Sequence, residues 1–197
     1  MFVINKLRAD HTLDFAAEEL KKYLRMMMPR CGEIDICYTP EAKDGFRLGL
    51  LQDFGLVNEA EDPVLDDIVH IDTDCEGGIL AGSNPRSVLF AVYRYLKLNG
   101  CRWLYPGVDG EHIPMQQIAP QKYHHLADHR FRGHCNEGAE FQNCMLETID
   151  FYAKQELNVY MIEFDNPFYY YDDYYSHNCK MRPLPATASQ GKSQVLS

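Results

Sequence analysis

Apolar residues in the first hundred positions recur in two ways, one typical of β-strands and one typical of helices. Short apolar or alternating runs predict strands at residues 2–4, 34–38, 46–51, 67–73 and 79–82. Apolar residues three and four positions apart predict two helices, over residues 13–27 and 88–98. Residues 10–12 and 83–84 offer N-terminal caps, and Pro85 suits a first helical turn. This order of elements predicts a mixed sheet with helices packed on it.

A second unit follows a stretch without periodicity. Residues 116–128 are rich in Gln, Pro and His and predict a linker. A strand at residues 131–135, a helix at 143–156 and a strand at 158–164 then form a predicted β-α-β unit. The fold class is therefore α/β, with an N-terminal domain at 1–115 and the start of a second domain at 129–179. Residues 180–197 contain no acidic and no aromatic residue, and they predict a disordered tail.

Charge and composition exclude several classes of function. The 197 residues include 19 basic and 29 acidic side chains, a formal net charge of −10. A chain this acidic, without a basic run, lacks the positive surface that nucleic-acid binding requires. No apolar run is long enough to span a membrane, and residues 1–6 do not resemble a signal peptide, so we expect a cytoplasmic protein. The segment 82–87 lacks the spacing of a nucleotide loop, so we interpret it as helix capping and expect no cofactor.

The seven cysteines and eight histidines show no metal-binding spacing. No Cys-x-x-Cys pair occurs, and the histidines are scattered, so no metal site is predicted. We expect reduced and mostly buried thiols, with Cys135 and Cys179 the more exposed ones.

Two polar clusters could carry chemistry. Arg102 beside Trp103, the only tryptophan, could bind a sugar, but we favour a core Trp103 with Arg102 bonded to loop carbonyls. In the second unit, polar side chains gather near the predicted carboxyl ends of the strands, where parallel α/β folds bind ligands. The candidate substrate-binding residues there are Arg132, Glu137, Glu163 and Asp165. The tyrosines at 169–171 and 174–175 either stack on a carbohydrate or pack an interface.

Several of these segments together resemble a known family. The segments 19–24, 78–84, 87–96 and 100–107 look like the N-terminal α/β domain of bacterial α-glucuronidases and β-N-acetylhexosaminidases. Residues 130–133 and 149–160 are similar to the first strand, first helix and second strand of their (β/α)8 barrel. The resemblance implies that Arg132 corresponds to the arginine on the first barrel strand, which in hexosaminidases binds hydroxyls of the sugar in the cleavage subsite. Met161, Ile162 and Glu163 depart from the histidine-rich second strand of hexosaminidases.

The resemblance implies a non-catalytic N-terminal part of a glycoside hydrolase in carbohydrate metabolism. Glycoside hydrolysis needs positioned carboxyl groups, and in the resembling enzymes these lie on later barrel strands. We therefore predict that residues 1–197 alone do not hydrolyse glycosides. The expected partner is a carbohydrate such as a uronic acid or an amino sugar glycoside. The alternatives are a carbohydrate-binding module and a protein interaction domain that self-associates through its incomplete barrel strands.

Overall fold

The computed structural model describes residues 2–134 and 142–160. It shows an α/β fold built on a mixed six-stranded sheet with helices packed on it, as the sequence predicts. The sheet order is β2-β1-β3-β5-β4-β8. Its strands are β1 (Phe2–Lys6), β2 (Ile34–Tyr38), β3 (Phe46–Leu50), β4 (Ile68–Thr73), β5 (Gly78–Gly82) and β8 (Gln121–Leu126).

Five of the six strands run in the same direction, and β4 runs antiparallel to its two neighbours. β1 pairs in parallel with β2 and β3, and β3 pairs in parallel with β5. β4 forms a hairpin with β5 and pairs on its other side with β8. The stretch expected to be a linker thus contains a six-residue strand. Its segment QKYHHL shows no apolar alternation, so the sequence pattern does not predict a strand there. An edge strand with only one partly buried face does not need such alternation.

Two helices cover one face of this sheet. α1 (His11–Met27) begins at Asp10, whose side chain accepts hydrogen bonds from the backbone of Thr12 and Leu13. α2 (Pro85–Leu98) begins at Asn84, whose side chain accepts from the backbone of Ser87. Gly100, at φ +93°, ends the turn after α2 in a conformation that disfavours other residues. The capping predicted for both helices is confirmed.

The core lies between these helices and the sheet. Leu20, Tyr23, Phe46, Leu80 and Tyr95 are fully buried in it. A smaller cluster on the opposite face joins Leu51, Ile68 and Ala81 beneath the loop that follows β3. The alternation of Ile68, Val69 and Ile71 between the two clusters follows from the strand period of two.

The second unit is a β-α-β arrangement. β9 (Gly133–His134) and β10 (Val159–Tyr160) pair in parallel, and α3 (Gln142–Lys154) connects them. A Cβ atom on Gly133 would lie 2.4 Å from the Val159 carbonyl oxygen, so the close approach of the two strands requires glycine there. The predicted strand-helix-strand order is confirmed for the described residues. The predicted tail at 180–197 lies outside them.

A further two-stranded sheet lies between the two units. β6 (Arg102–Trp103) pairs antiparallel with β7 (Glu111–His112). These two strands form a sheet that is separate from the main one. Trp103 is 5% exposed and lies edge-on to Tyr23 and Tyr93, so it packs in the core as favoured. Arg102 donates to the carbonyl oxygens of Lys97 and Cys101, as predicted.

Candidate functional site

Asp67 connects the α/β domain to the β-α-β unit. Its side chain is 1% exposed and lies just before β4. Within the domain, Oδ1 accepts from Arg86 Nη2 at 2.9 Å and from Ser87 Oγ at 2.8 Å. From the other unit, Oδ2 accepts from Arg132 Nη2 at 2.7 Å and from Asn158 Nδ2 at 3.0 Å. One buried carboxylate therefore holds groups from both units.

The surroundings of Asp67 favour its charged form. Burial by itself would raise the pKa of Asp67, because it removes water from the carboxylate. The hydrogen bonds that the carboxylate accepts outweigh burial and hold the pKa below its usual range; their donors are Arg86, Arg132, Ser87 and Asn84. A buried charge is stable only with such partners. Asp67 is thus ionised at neutral pH and holds its arginine partners in place.

Arg132, the predicted sugar-binding residue, lies at the amino end of its strand. A position near the carboxyl end of a strand is predicted for it, but β9 begins only at Gly133. Besides Asp67, the guanidinium donates from Nε to the Glu156 carbonyl oxygen at 3.0 Å and from Nη1 to that of His129 at 2.7 Å. Its backbone N–H donates to Asn158 Oδ1 at 2.8 Å. These bonds fix Arg132 at the start of β9, where it positions the parallel pair.

A second buried ionic cluster joins α1, β7 and α3. Lys154 is 3% exposed, and its Nζ lies 2.9 Å from Glu111 Oε1 and 2.5 Å from Asp150 Oδ2. Glu111 Oε1 also accepts from the Tyr23 hydroxyl at 2.6 Å. Burial alone would lower the pKa of Lys154, but its hydrogen bonds with Asp150 and Glu111 raise it above its usual value. Lys154 is therefore a charged anchor of α3.

A small polar cavity of about 190 Å³ lies between these units. Arg94 lines one side, with Nη2 2.7 Å from Glu156 Oε2 and its guanidinium 5.0 Å from the Tyr123 ring. Asp67, His125 and Arg132 also contribute to the lining. The volume is below the roughly 300–1,000 Å³ typical of small-molecule pockets. The cavity offers space for a small polar group beside groups of both charges.

The remaining candidate substrate residues cannot be placed in this cavity. Glu137, Glu163 and Asp165, like the tyrosines after Pro167, lie outside the described residues. The two carboxylates that do line the cavity with arginine partners, Asp67 and Glu156, are neutralised by them. What the described arrangement can do is hold the two units together and bind a small polar ligand by hydrogen bonds.

The expectation of mostly buried cysteines is wrong for the described thiols. Cys37 and Cys75 are exposed, Cys31 is intermediate, and Cys101 is buried. Burial raises the pKa of the Cys101 thiol to about 12, which makes it unreactive at neutral pH. Cys37 lies near the end of the edge strand β2, and Cys75 lies in the turn between β4 and β5. A short sequence pattern does not identify either place as solvent-exposed. Cys135 and Cys179 lie outside the described residues.

Sequence reasoning missed the residues that connect the two units. In the sequence, Asp67 is only the first position of an alternating run, and Lys154 is only a polar position of a predicted helix. The signal in the sequence is an acidic residue directly before β4 together with the polar segment Ser83-Asn84-Pro85-Arg86-Ser87. In the structure, every side chain of this segment except Pro85 bonds to Asp67 or to another member of the segment. Contacts between residues so far apart in sequence need the fold to reveal them.

Neither a metal-binding cluster nor a membrane-spanning helix is found among the described residues. In the described ranges, no group of three or more His, Cys, Asp or Glu side chains is arranged to hold a metal ion. No described helix is both long and apolar enough to cross a membrane. The sequence matches no protein-family model and no curated protein.

Proposed function

We propose that this chain is the non-catalytic N-terminal part of a glycoside-hydrolase-like protein that acts in carbohydrate metabolism. The observation that carries the proposal is the parallel β9-α3-β10 unit, anchored to an α/β domain through Arg132 and Asp67. The order of the two units supports the resemblance to the opening of a barrel enzyme. In this role the α/β domain is a platform that holds the first β-α-β unit in a fixed orientation.

The anchoring contacts explain why such a platform would use charged groups. A buried ion pair adds little net stability compared with apolar packing, but it tolerates very few alternative arrangements. Asp67 accepts from Arg132 and Asn158, which directly precede the two parallel strands. The same two residues bond to each other through the Arg132 backbone N–H. Both strands are therefore set in register at their amino ends by one carboxylate.

The ligand class that we propose is a carbohydrate with a polar substituent, either a uronic acid or an amino sugar glycoside. Among the described residues, the bonds that Arg132 makes use three of its five N–H donors. Two donors can still meet a hydroxyl or carboxylate at the cavity. Arg94 and Tyr123 provide a second cation and a ring surface at the same cavity.

The decisive experiment is to sequence the DNA downstream of codon 197 and to translate it in all three frames. The longer protein that it encodes is then expressed beside residues 1–197. Both proteins are assayed with nitrophenyl glycosides of N-acetylglucosamine and glucuronic acid. We expect the added sequence to contain barrel-like strands that end in acidic residues. We also expect the longer protein, and not residues 1–197 alone, to hydrolyse the glycosides. A continuation without such strands would remove the glycosidase proposal. Hydrolysis by residues 1–197 alone would contradict the non-catalytic role.

Exposed apolar side chains on the second unit favour one other candidate, a protein interaction domain. Phe131 is 67% exposed and Leu146 is 76% exposed, both high for large apolar residues. Light scattering and hydrogen exchange test this alternative. A monomer with slowly exchanging amides at Val159 and Tyr160 would argue against it, whereas concentration-dependent association reduced by Leu146→Gln would support it.

A further inference from the structure

His70 and His124 form a close pair on the main sheet, away from the junction, by which we mean the contacts of Asp67 and Lys154 that connect the two units. β4 and β8 run antiparallel in a register that places His70 directly opposite His124. Their Nδ1 atoms are 3.1 Å apart, and the two rings meet at 68°. Val69 and Ile71, the neighbours of His70 along β4, point into the main core. The pair therefore lies on the face that α1 and α2 do not cover.

The two nitrogens could share a proton or a cation. Two neutral imidazoles at this distance can share one hydrogen bond, with Nδ1–H of one ring donating to Nδ1 of the other. If each ring instead carries its proton on Nε2, both Nδ1 lone pairs are available to a cation. Asp72 and Lys122 are opposed two positions along the same strands, and their charged groups lie 3.6 Å apart. The attraction of Asp72 for a cation offsets much of the repulsion by Lys122.

We propose that His70 and His124 together bind one divalent transition-metal ion, such as Ni²⁺ or Zn²⁺, through their Nδ1 atoms. Imidazole nitrogen is a preferred ligand of these ions. At the usual metal–nitrogen distance of about 2.0–2.1 Å, nitrogens 3.1 Å apart subtend about 95–100° at the ion. That angle lies between those of octahedral and tetrahedral coordination, so the spacing of the two nitrogens suits either geometry. The remaining ligand positions are filled by water, which leaves an open site.

The strand register explains why the ligands are pre-positioned. Both histidines lie inside strands whose ladder fixes the backbone, so the ion does not have to order two loops. His125, the next residue on β8, packs instead beside Tyr123 and lines the junction cavity on the other face. It is a matched control, because it belongs to the same strand and has the same side chain but no histidine opposite.

Calorimetric titration of the untagged chain with NiCl₂ tests the proposal. We expect one Ni²⁺ per chain at the strongest site. Loss of a supporting group around a metal lowers affinity about 10–100-fold, so loss of a direct ligand in His70→Gln or His124→Gln is expected to cost at least about tenfold. His125→Gln should leave the affinity within about twofold. Because both histidines hold the same ion, the double variant should bind about as weakly as either single variant.

Circular dichroism and an NMR measurement protect the test against misfolding. The variants are compared with the wild type by circular dichroism before titration, and only folded variants are used. In the wild type, Ni²⁺ should broaden amide signals of β4 and β8 before those of β2, at the opposite sheet edge. The proposal fails if His125→Gln weakens binding as much as His124→Gln does. It also fails if the wild type binds no more tightly than the double variant.

Discussion

Replacing Asp67 by Asn is the sharpest test of how the two units are held together. The amide keeps the shape of the side chain but removes its charge, and it places an NH₂ group where one carboxylate oxygen accepts two hydrogen bonds. On the Oδ2 side, the lost acceptor faces Arg132 Nη2 and Asn158 Nδ2. On the Oδ1 side, Arg86 loses its charged partner.

The expected magnitude follows from burial of the partners. Removing one member of a buried ion pair typically costs about 3–5 kcal/mol, because the other charge stays buried without compensation. Here the side chains of Arg86 and Arg132 keep 35% and 19% of their surface exposed, so water can partly compensate them. We therefore expect the lower end, about 3 kcal/mol of unfolding free energy. For a chain of this size that corresponds to a decrease in Tm of about 6–12 °C.

Urea unfolding followed by Trp103 fluorescence and by circular dichroism measures this loss. Trp103 is the only tryptophan, and it lies between α1 and α2 against the ring of Tyr23. The matched control is Asp72→Asn, since Asp72 is half exposed and lies 3.6 Å from exposed Lys122. Its expected effect is within about 0.5 kcal/mol. A loss below about 1 kcal/mol in Asp67→Asn, or equal losses in both variants, would refute the reasoning.

Three further predictions follow from buried groups. Lys154→Met should lower the unfolding free energy by about 3 kcal/mol, because Glu111 is left buried without its cation. It should also shift the fluorescence of Trp103, whose ring lies 6.0 Å from Lys154 Nζ. The control is Lys122→Met, which removes an exposed lysine. The low pKa of Asp67 stabilises the fold above the unfolded-state value of about 4, and this stability is lost as the pH falls through the lower folded-state pKa. The stability difference between wild type and Asp67→Asn should therefore shrink below about pH 4, and a constant difference would contradict this. Thiol labelling at neutral pH should modify Cys75 quickly and Cys101 only on unfolding, as mass mapping can check.

Local patterns in the sequence predict most of the fold of the α/β domain. The helical faces of α1 and α2 and the caps before them are short-range features, and both were found where expected. The hairpin of β4 and β5 also follows from alternation on either side of a glycine turn. β8 could not be predicted in this way. It is an edge strand that starts 48 residues after Thr73, its partner in the ladder, and its polar composition shows no strand period.

The candidate site depends on the long-range contacts that such patterns omit. The resemblance directs attention to Arg132 as a sugar ligand, and the structure instead gives three of its donors to Asp67 and two backbone carbonyls. Asp67 precedes Arg132 by 65 positions, so no spacing motif connects them. The pair formed by His70 and His124 is a similar case, since the two residues are 54 positions apart and meet only through strand register.

The position of Arg132 restricts the ways in which it can take part in sugar binding. Arg132 directly precedes β9 and is paired with the buried carboxylate of Asp67, so it cannot move toward a ligand without disturbing the pairing of β9 and β10. Any contact with a sugar must therefore use the donors that remain on the fixed guanidinium, and the sugar must come to the cavity edge. Arg132→Lys, which keeps the charge but loses the planar fork, should accordingly weaken the junction even where no carbohydrate is present.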